Sequence, residues 1–390
     1  MRLLKYVAVG FLVLALGAVV VLNRIVAPNL DAKLNHVIPH DPWPVSEQAA
    51  ALHATLRVAD LHADTLLWAR DPIKRHDRGH TDLPRFREGG MFLQVFTTVT
   101  KSPPGLNYDH NESNSGDDIT PLSIIQLWPV RTWGSIYERA AYQAERLEKL
   151  DARDENFIMV RTRGDLERAA RLRRQNPDIV AGVMGMEGAH PLEGKIENLH
   201  RLYEAGHRLI ALQHFFDNEL GGSLHGADCE GLTAFGAEAV DTAEDLSMII
   251  DVAHSCEKVA WDVLERTTRP VVISHTGIKS KCDTARNVSD DLLAEIARRG
   301  GLIGIGFWDE AICDATPDGV AAAIKHGIET FGADAIALGS DFDGTVTTYF
   351  DTSEMAAVTD ALLRAGVSEE DIRKVMGENQ IRLFLEYLPE

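Results

Sequence analysis

An imidazole and a carboxylate two residues apart, His62 and Asp64, end the apolar-flanked run Leu56-Arg57-Val58-Ala59-Asp60-Leu61. On a strand, residues i and i+2 point to the same face, so the two side chains converge on one point. Imidazole with carboxylate suits Zn²⁺ and similar divalent ions. One His-x-Asp is weak evidence, but Glu187, His254, His275 and Asp341 each end a further strand-like apolar run, and so does His214. These donors exceed what one tetrahedral zinc takes, three protein ligands plus water. The surplus fits two metals bridged by a carboxylate, and the expected nucleophile is a hydroxide held between them. A serine nucleophile is less favoured, because no Gly-x-Ser-x-Gly elbow is present.

Ends of many strands meet at one place in a (β/α)₈ barrel, whose active site lies at the C-terminal face. Strand-like runs fall at 57–62, 91–99, 179–186, 208–213, 247–253, 270–274, 301–307 and 335–340, with amphipathic helical segments between them. Glu197–Ala205 stops at Gly206, and Asp290–Arg299 stops at Gly300-Gly301, as helices do. The expected fold is α/β, a (β/α)₈ TIM-like barrel of the metal-dependent hydrolase type. An open doubly wound sheet is the rival, but no Gly-rich phosphate turn follows the first strand. Residues 101–135 interrupt the alternation with a stretch rich in Pro, Asn, Ser, Gly and Asp. They read as an insertion, either a surface loop or a lid over the barrel mouth.

The net charge of −20 argues against nucleic acid as a partner. Arg2 and Lys5 precede Tyr6–Leu22, which carries no charge. That pattern predicts a signal anchor or transmembrane helix over 1–25, with a cleaved signal peptide as the alternative. The positive-inside rule then places the body outside the cytoplasm, in the periplasm if the source is Gram-negative. Residues 26–50 read as a linker and 51–390 as the catalytic domain. The end of the chain has no hydrophobic tail, so a lipid anchor is not expected there. The four cysteines, Cys229, Cys256, Cys282 and Cys313, form no Cys-x-x-Cys pair. Cys282 and Cys313 fall on consecutive βα-loops, which are neighbours in a barrel and could bridge.

The segments Glu187-Gly188-Ala189-His190, Gln213-His214-Phe215-Phe216-Asp217-Asn218 and Asp251-Val252-Ala253-His254 resemble the membrane dipeptidase (renal dipeptidase) family of zinc peptidases. Ser274-His275-Thr276, Arg286-Asn287-Val288, Ser340-Asp341-Phe342-Asp343-Gly344 and Met376-Gly377-Glu378-Asn379 extend the resemblance over about 57–385. It implies a zinc-dependent dipeptidase with two zinc ions per chain. His62 and Asp64 would hold one ion, His254 and His275 the other, and Glu187 would bridge them. Asp341 would be the acid/base, and His214 would polarise the carbonyl or stabilise the oxyanion. Arg286 would grip a substrate carboxylate, with His214 and Asn218 also on the substrate. The family bridges cysteines at about the places of Cys282 and Cys313. The mammalian relatives are anchored at the C-terminus, unlike the arrangement expected here.

The expected substrate is a small peptide. The alternative is a related amidohydrolase or lactonase, or a tailoring enzyme on a secreted peptide metabolite such as a siderophore. The membrane, through the N-terminal helix, is the other expected partner, and a homodimer is left open.

Overall fold

A computed structural model describes Tyr6, Gly17, residues 19–105 and residues 107–390. Its centre is a closed parallel barrel. The strands are β1 (Val58–Ala63), β2 (Met91–Phe96), β3 (Phe157–Val160), β4 (Val180–Met186), β5 (His207–Ala211), β6 (Ile249–Asp251), β7 (Val272–Thr276), β8 (Leu302–Ile305) and β9 (Ile336–Leu338). Hydrogen bonding runs β2-β1-β9-β8-β7-β6-β5-β4, and β2 pairs with β4 to close the ring. Every strand is buried along its length, as strands covered on both faces by core must be. Their sequences are therefore continuous apolar runs, which is why the eight expected runs all coincide with barrel strands.

β3 is a ninth strand that the sequence reading lacks. β4 has three partners and two edges: β2 along Ala181–Met184 on one, then β3 along Val180–Val183 and β5 along Met184–Met186 on the other. β3 thus wedges in below the point where β5 joins. Four apolar residues after a long polar helix cannot be told from a helix end by periodicity.

The segment expected to be a linker, 26–50, is folded onto the barrel instead. Ala27–Leu34 is helical, with Leu30 and Leu34 packed on Leu67, Trp68, Ile119, Leu122 and Trp128. His36–Val37 pairs with Thr347–Thr348, and Glu47–His53 is a helix capped by the Ser46 side chain. The Pro residues that made this stretch look like a linker lie at helix starts and between elements, where proline is tolerated. The membrane span expected around Tyr6–Leu22 falls largely outside the described residues. Among those described, no helix is long and apolar enough to cross a membrane.

Two features tie the barrel mouth. Disulfides join Cys282 to Cys313 and Cys229 to Cys256, each with Cα atoms 5.7 Å apart. A buried charge network holds the loop after β9. Arg70 ion-pairs with Asp343 (2.7 Å) and Asp31 (3.0 Å) and donates to the Thr81 carbonyl. Asp343 also accepts from the His80 backbone N–H, and its own carbonyl accepts from the Trp68 indole. The Arg70 guanidinium and the His80 contacts outweigh the burial that opposes them, and hold the Asp343 carboxyl below the usual carboxylate range. At the opposite end of the barrel, Asn379 donates to the Ala333 and Ile336 carbonyls, and Gln380 to Ala59. The closing segment thus seals the bottom of β9 and β1.

Removing one partner of a buried ion pair leaves the other charge stranded, at a cost of about 3–5 kcal/mol. Arg70→Ala leaves Asp31 its pair with Arg78 (3.0 Å) but strands the fully buried Asp343, so it is expected to lower stability by about that amount. Urea unfolding of the two proteins measures it; a difference below about 1 kcal/mol, the range of exposed pairs, would show the network to be dispensable.

Candidate metal centre

The C-terminal ends of β1, β4, β5, β6, β7 and β9 bring His62, Asp64, Glu187, His214, His254, His275 and Asp341 into one buried cluster. Glu187 lies at its middle. Its Oε1 is 3.4 Å from His62 Nε2, 3.4 Å from His214 Nε2, 3.3 Å from His254 Nε2 and 3.4 Å from His275 Nε2. Asp64 and Asp341 approach His62 Nε2 to 3.7 and 3.8 Å. Three overlapping sets have metal-ligand spacing: His62, Glu187 and His275; Glu187, His214 and His254; His62, Asp64 and Asp341.

The backbone at this end of the barrel is unusual. His254 and Asp341 are non-glycine residues in the left-handed region, both at φ 60°. Such conformations cost free energy and persist where surrounding structure over-determines them. Asp341 is fixed by its N–H to the His62 carbonyl, and Asp64 by its N–H to the Phe342 carbonyl. The ends of β1 and β9 thereby cross-link, which sets both carboxylates toward His62. Gly344 completes the turn: a Cβ there would lie 2.0 Å from Asp341 Oδ1.

An outer set of groups aims the ligands. The Ser274 hydroxyl contacts Nδ1 of both His275 (2.9 Å) and His62 (3.3 Å). Thr97 donates to Asp64 at 2.6 Å. Asp60 accepts from the Ser340 N–H and hydroxyl, and Asp251 from the Ala253 and Ser274 N–H groups. The sequence reading did not assign roles to these residues. Asp60 carried a signal, since it shares the inward face of β1 with His62; the hydroxyls carried none.

Electrostatically the cluster is unbalanced. Burial lowers the pKa of His62, His254 and His275 well below the ordinary value, and that of His214 to about 4. All are neutral imidazoles at pH 7, ready to offer a lone pair. Burial, then repulsion from Asp64 and Asp341, raises Glu187 well above its usual range; burial raises Asp64 to about 7. His254 Nε2 and His275 Nε2 face each other at 2.8 Å, while His62 Nε2 and Glu187 Oε2 are buried without hydrogen-bond partners. Buried polar atoms are normally satisfied. Lone pairs facing one another among crowded carboxylates fit divalent cations, which would satisfy both and reverse the carboxylate shifts.

Arg286 is 1% exposed. Its Nη2 donates to the His275 carbonyl at 2.6 Å, its Nη1 and Nε have no partner, and it sits over the Trp308 ring at 5.3 Å. The structure does not bring Asn218 to the cluster. Its amide is taken up by the Leu212 carbonyl and the Leu220 N–H, which shapes the loop after β5. Tyr108, Phe215 and His225 also close over the site: the Tyr108 ring is 5.4 Å from Phe215 and 5.3 Å from His225, whose Nδ1 bonds the Tyr108 carbonyl. Tyr108 arrives from the insertion and, with Ser102 and Ile119, lines the cavity together with Asp64, Glu187, His214, His254 and Asp341.

A model of the membrane dipeptidase family (peptidase family M19) matches residues 46–387. An uncharacterized dipeptidase of Schizosaccharomyces pombe is 26% identical over 320 residues, which span 78% of this chain and 71% of that protein. The crystal structure of the metallopeptidase dipeptidase AC is 26% identical with a TM-score of 0.69, covering 86% of this chain and 99% of that one. The probable dipeptidase PvdM of Pseudomonas aeruginosa, 19% identical, has the same fold with a TM-score of 0.72 over 88% of this chain and 98% of its own.

Metal removal should expose the imbalance through pH. Glu187 and Asp341 have folded-state pKa values raised above their unfolded ones. The folded apo-protein therefore binds more protons than the unfolded chain, and its stability falls as pH rises through those raised values. The buried histidines work in the opposite sense, but only below about 6.5, so the carboxylates dominate above about 7. Chelator-treated protein is expected to lose melting temperature relative to metal-loaded protein as pH rises through the raised carboxylate values, of which that of Asp64 is about 7; parallel melting curves would contradict this. Gly344→Ala should keep the fold and displace Asp341, seen as an unchanged circular-dichroism spectrum with a large loss of kcat.

Proposed function

The chain belongs to the membrane dipeptidase family, and on that premise we propose that it is a zinc dipeptidase holding two ions and cleaving very small peptides beside a free carboxylate. It is a peptide hydrolase with dipeptidase relatives. The observation that carries the finer reading is the pairing of a surplus ligand cluster with a buried Arg286 that contacts the His275 carbonyl and keeps two unpartnered nitrogens.

His62 and Asp64 would hold one ion, His254 and His275 the other, and Glu187 would bridge. Bound there, the ions supply Lewis acidity and lower the pKa of water. The chain's own groups do the rest. Arg286 offers its unpartnered N–H donors to the substrate carboxylate as charge-assisted contacts. Asp341 takes the proton released by the attacking water and returns it to the leaving amine. His214 Nδ1 faces the Lys101 carbonyl at 3.1 Å and so carries a proton. Its Nε2 meets the reacting oxygen as a donor only once protonated, and the negative charge developing there is what favours that form. Tyr108, Phe215 and Trp308 exclude water.

We place the catalytic domain outside the cytoplasm, tethered by the run Tyr6–Leu22, and in the periplasm for a Gram-negative source. The basic start before that run and the two disulfides support this reading.

Zinc-loaded protein assayed on a dipeptide panel beside lactones tests the activity, and metal analysis should return two zinc ions per chain. Arg286→Ala should weaken dipeptides by about 1.5–3 kcal/mol in kcat/KM, and their C-terminal amides far less, for one lost charge-assisted contact. Equal losses on both would make Arg286 structural, and turnover of lactones alone would overturn the dipeptidase reading.

A further inference from the structure

The outer half of the insertion does not face the active site. After the helix Ile119–Ile125 the chain turns at Leu127, a non-glycine residue at φ 59°, and runs to the turn Val130–Trp133. Leu127 is 49% exposed and Val130 71%, and Ile124 is exposed beside them. Strained backbone that pushes apolar side chains into water does not serve the core. The same surface carries Val19, Val20, Val21, Leu22, Ile25 and Val26, also exposed, because the turn Leu22–Val26 packs beside the helix Ile119–Ile125. Val19–Leu22 are the end of the uncharged run that begins at Tyr6, and Ile25 and Val26 follow just after Arg24.

Charge points the same way. In a chain of net charge −20, the exposed Arg24 and Lys74 line a cavity of about 580 Å³ between the N-terminal helix and the barrel, directly beside this apolar tip; Asp31 and Asp71 line it too, with Arg78 paired to Asp31 and Arg146 bound to the Leu66, Trp68 and Arg70 carbonyls. An apolar tip with a basic rim matches the interface of a bilayer with anionic headgroups.

We infer that the tip Ile124–Val130 is a second membrane contact, seating the barrel on the surface of an anionic bilayer next to its tether. The inference rests on the anchoring proposed above. Its consequence is orientation. Leu67, Val99 and Ile119 line the catalytic cavity and pack in one small core with Trp128, Leu30 and Leu34. The mouth of the barrel is therefore held toward the bilayer, and peptides at the membrane surface are the accessible substrates.

The four native cysteines are paired, so one added cysteine takes a fluorophore cleanly. Full-length protein is reconstituted in phosphatidylcholine/phosphatidylglycerol vesicles containing a doxyl-labelled lipid, with an environment-sensitive dye at Val130→Cys, at Ile124→Cys, at Val20→Cys in the tether, or at Glu329→Cys on the exposed face of Pro317–Phe331. Retained dipeptide hydrolysis certifies each fold. The expected result is a blue shift with quenching at 130, 124 and 20, and aqueous emission at 329. Quenching at 20 with aqueous emission at 130 and 124 overturns the tip contact and leaves the tether standing. Aqueous emission at all four positions overturns both, and equal quenching at 130 and 329 reduces the effect to nonspecific adsorption and overturns the inference.

Discussion

Three carboxylates and four imidazoles share a dry space at the mouth of the barrel, and like-charged carboxylates at that separation do not all ionise without cations. The rest of the structure is arranged around that constraint. The imidazoles are kept neutral by burial, so they cannot serve as counter-ions to Glu187, Asp64 and Asp341. Arg286 is a permanent positive charge close by, but its bonded edge is committed to the His275 carbonyl. What remains is a set of lone pairs around Glu187 that divalent ions satisfy. The protein tolerates an unfavourable apo arrangement because the fold is stable enough elsewhere to hold it.

Holding it is the work of the barrel ends. Strands fix direction, since the pleat sends Asp60, His62 and Asp64 to one face. They do not fix the last fraction of an ångström. That comes from the left-handed turns at His254 and Asp341, from the Ser274 hydroxyl shared between two imidazole rings, and from the Asp60–Ser340 and Asp251–Ser274 contacts between neighbouring strands. The Arg70–Asp343–Asp31 network extends this support outward: it pins the loop two residues beyond Asp341 to the N-terminal helix. Catalytic geometry and the docking of that helix are thus one electrostatic unit.

This division explains what was legible in the sequence. Buried parallel strands must be apolar throughout, so eight of them stand out as runs, and the polar residues that end them stand out as exceptions. His62, Asp64, Glu187, His214, His254, His275 and Asp341 were readable for that reason. Arg286 was not readable from spacing; only its family motif marked it, and the structure then shows why such a cation is tolerable, buried over Trp308 beside carboxylates. Tyr108 and His225 lay in stretches with no periodicity, and nothing local says that a Pro- and Asn-rich insertion folds back over a cavity. Residues 26–50 looked like a linker because their stabilising partners, Arg70, Asp360 and Thr348, are distant in sequence.

The insertion joins these levels. Its first half carries Tyr108 over the cavity and is tied to the barrel by Asn111 to the His225 carbonyl and by Arg139 to the Thr100 carbonyl and Asp117. Its second half packs on the N-terminal helix through Trp128, Leu122 and Ile119. The first half of the insertion is continuous with the second. Whatever restrains the N-terminal helix therefore also restrains the roof. The tether proposed at that helix would therefore bear on the roof as well, through the contacts of Leu30 and Leu34 with Ile119, Leu122 and Trp128.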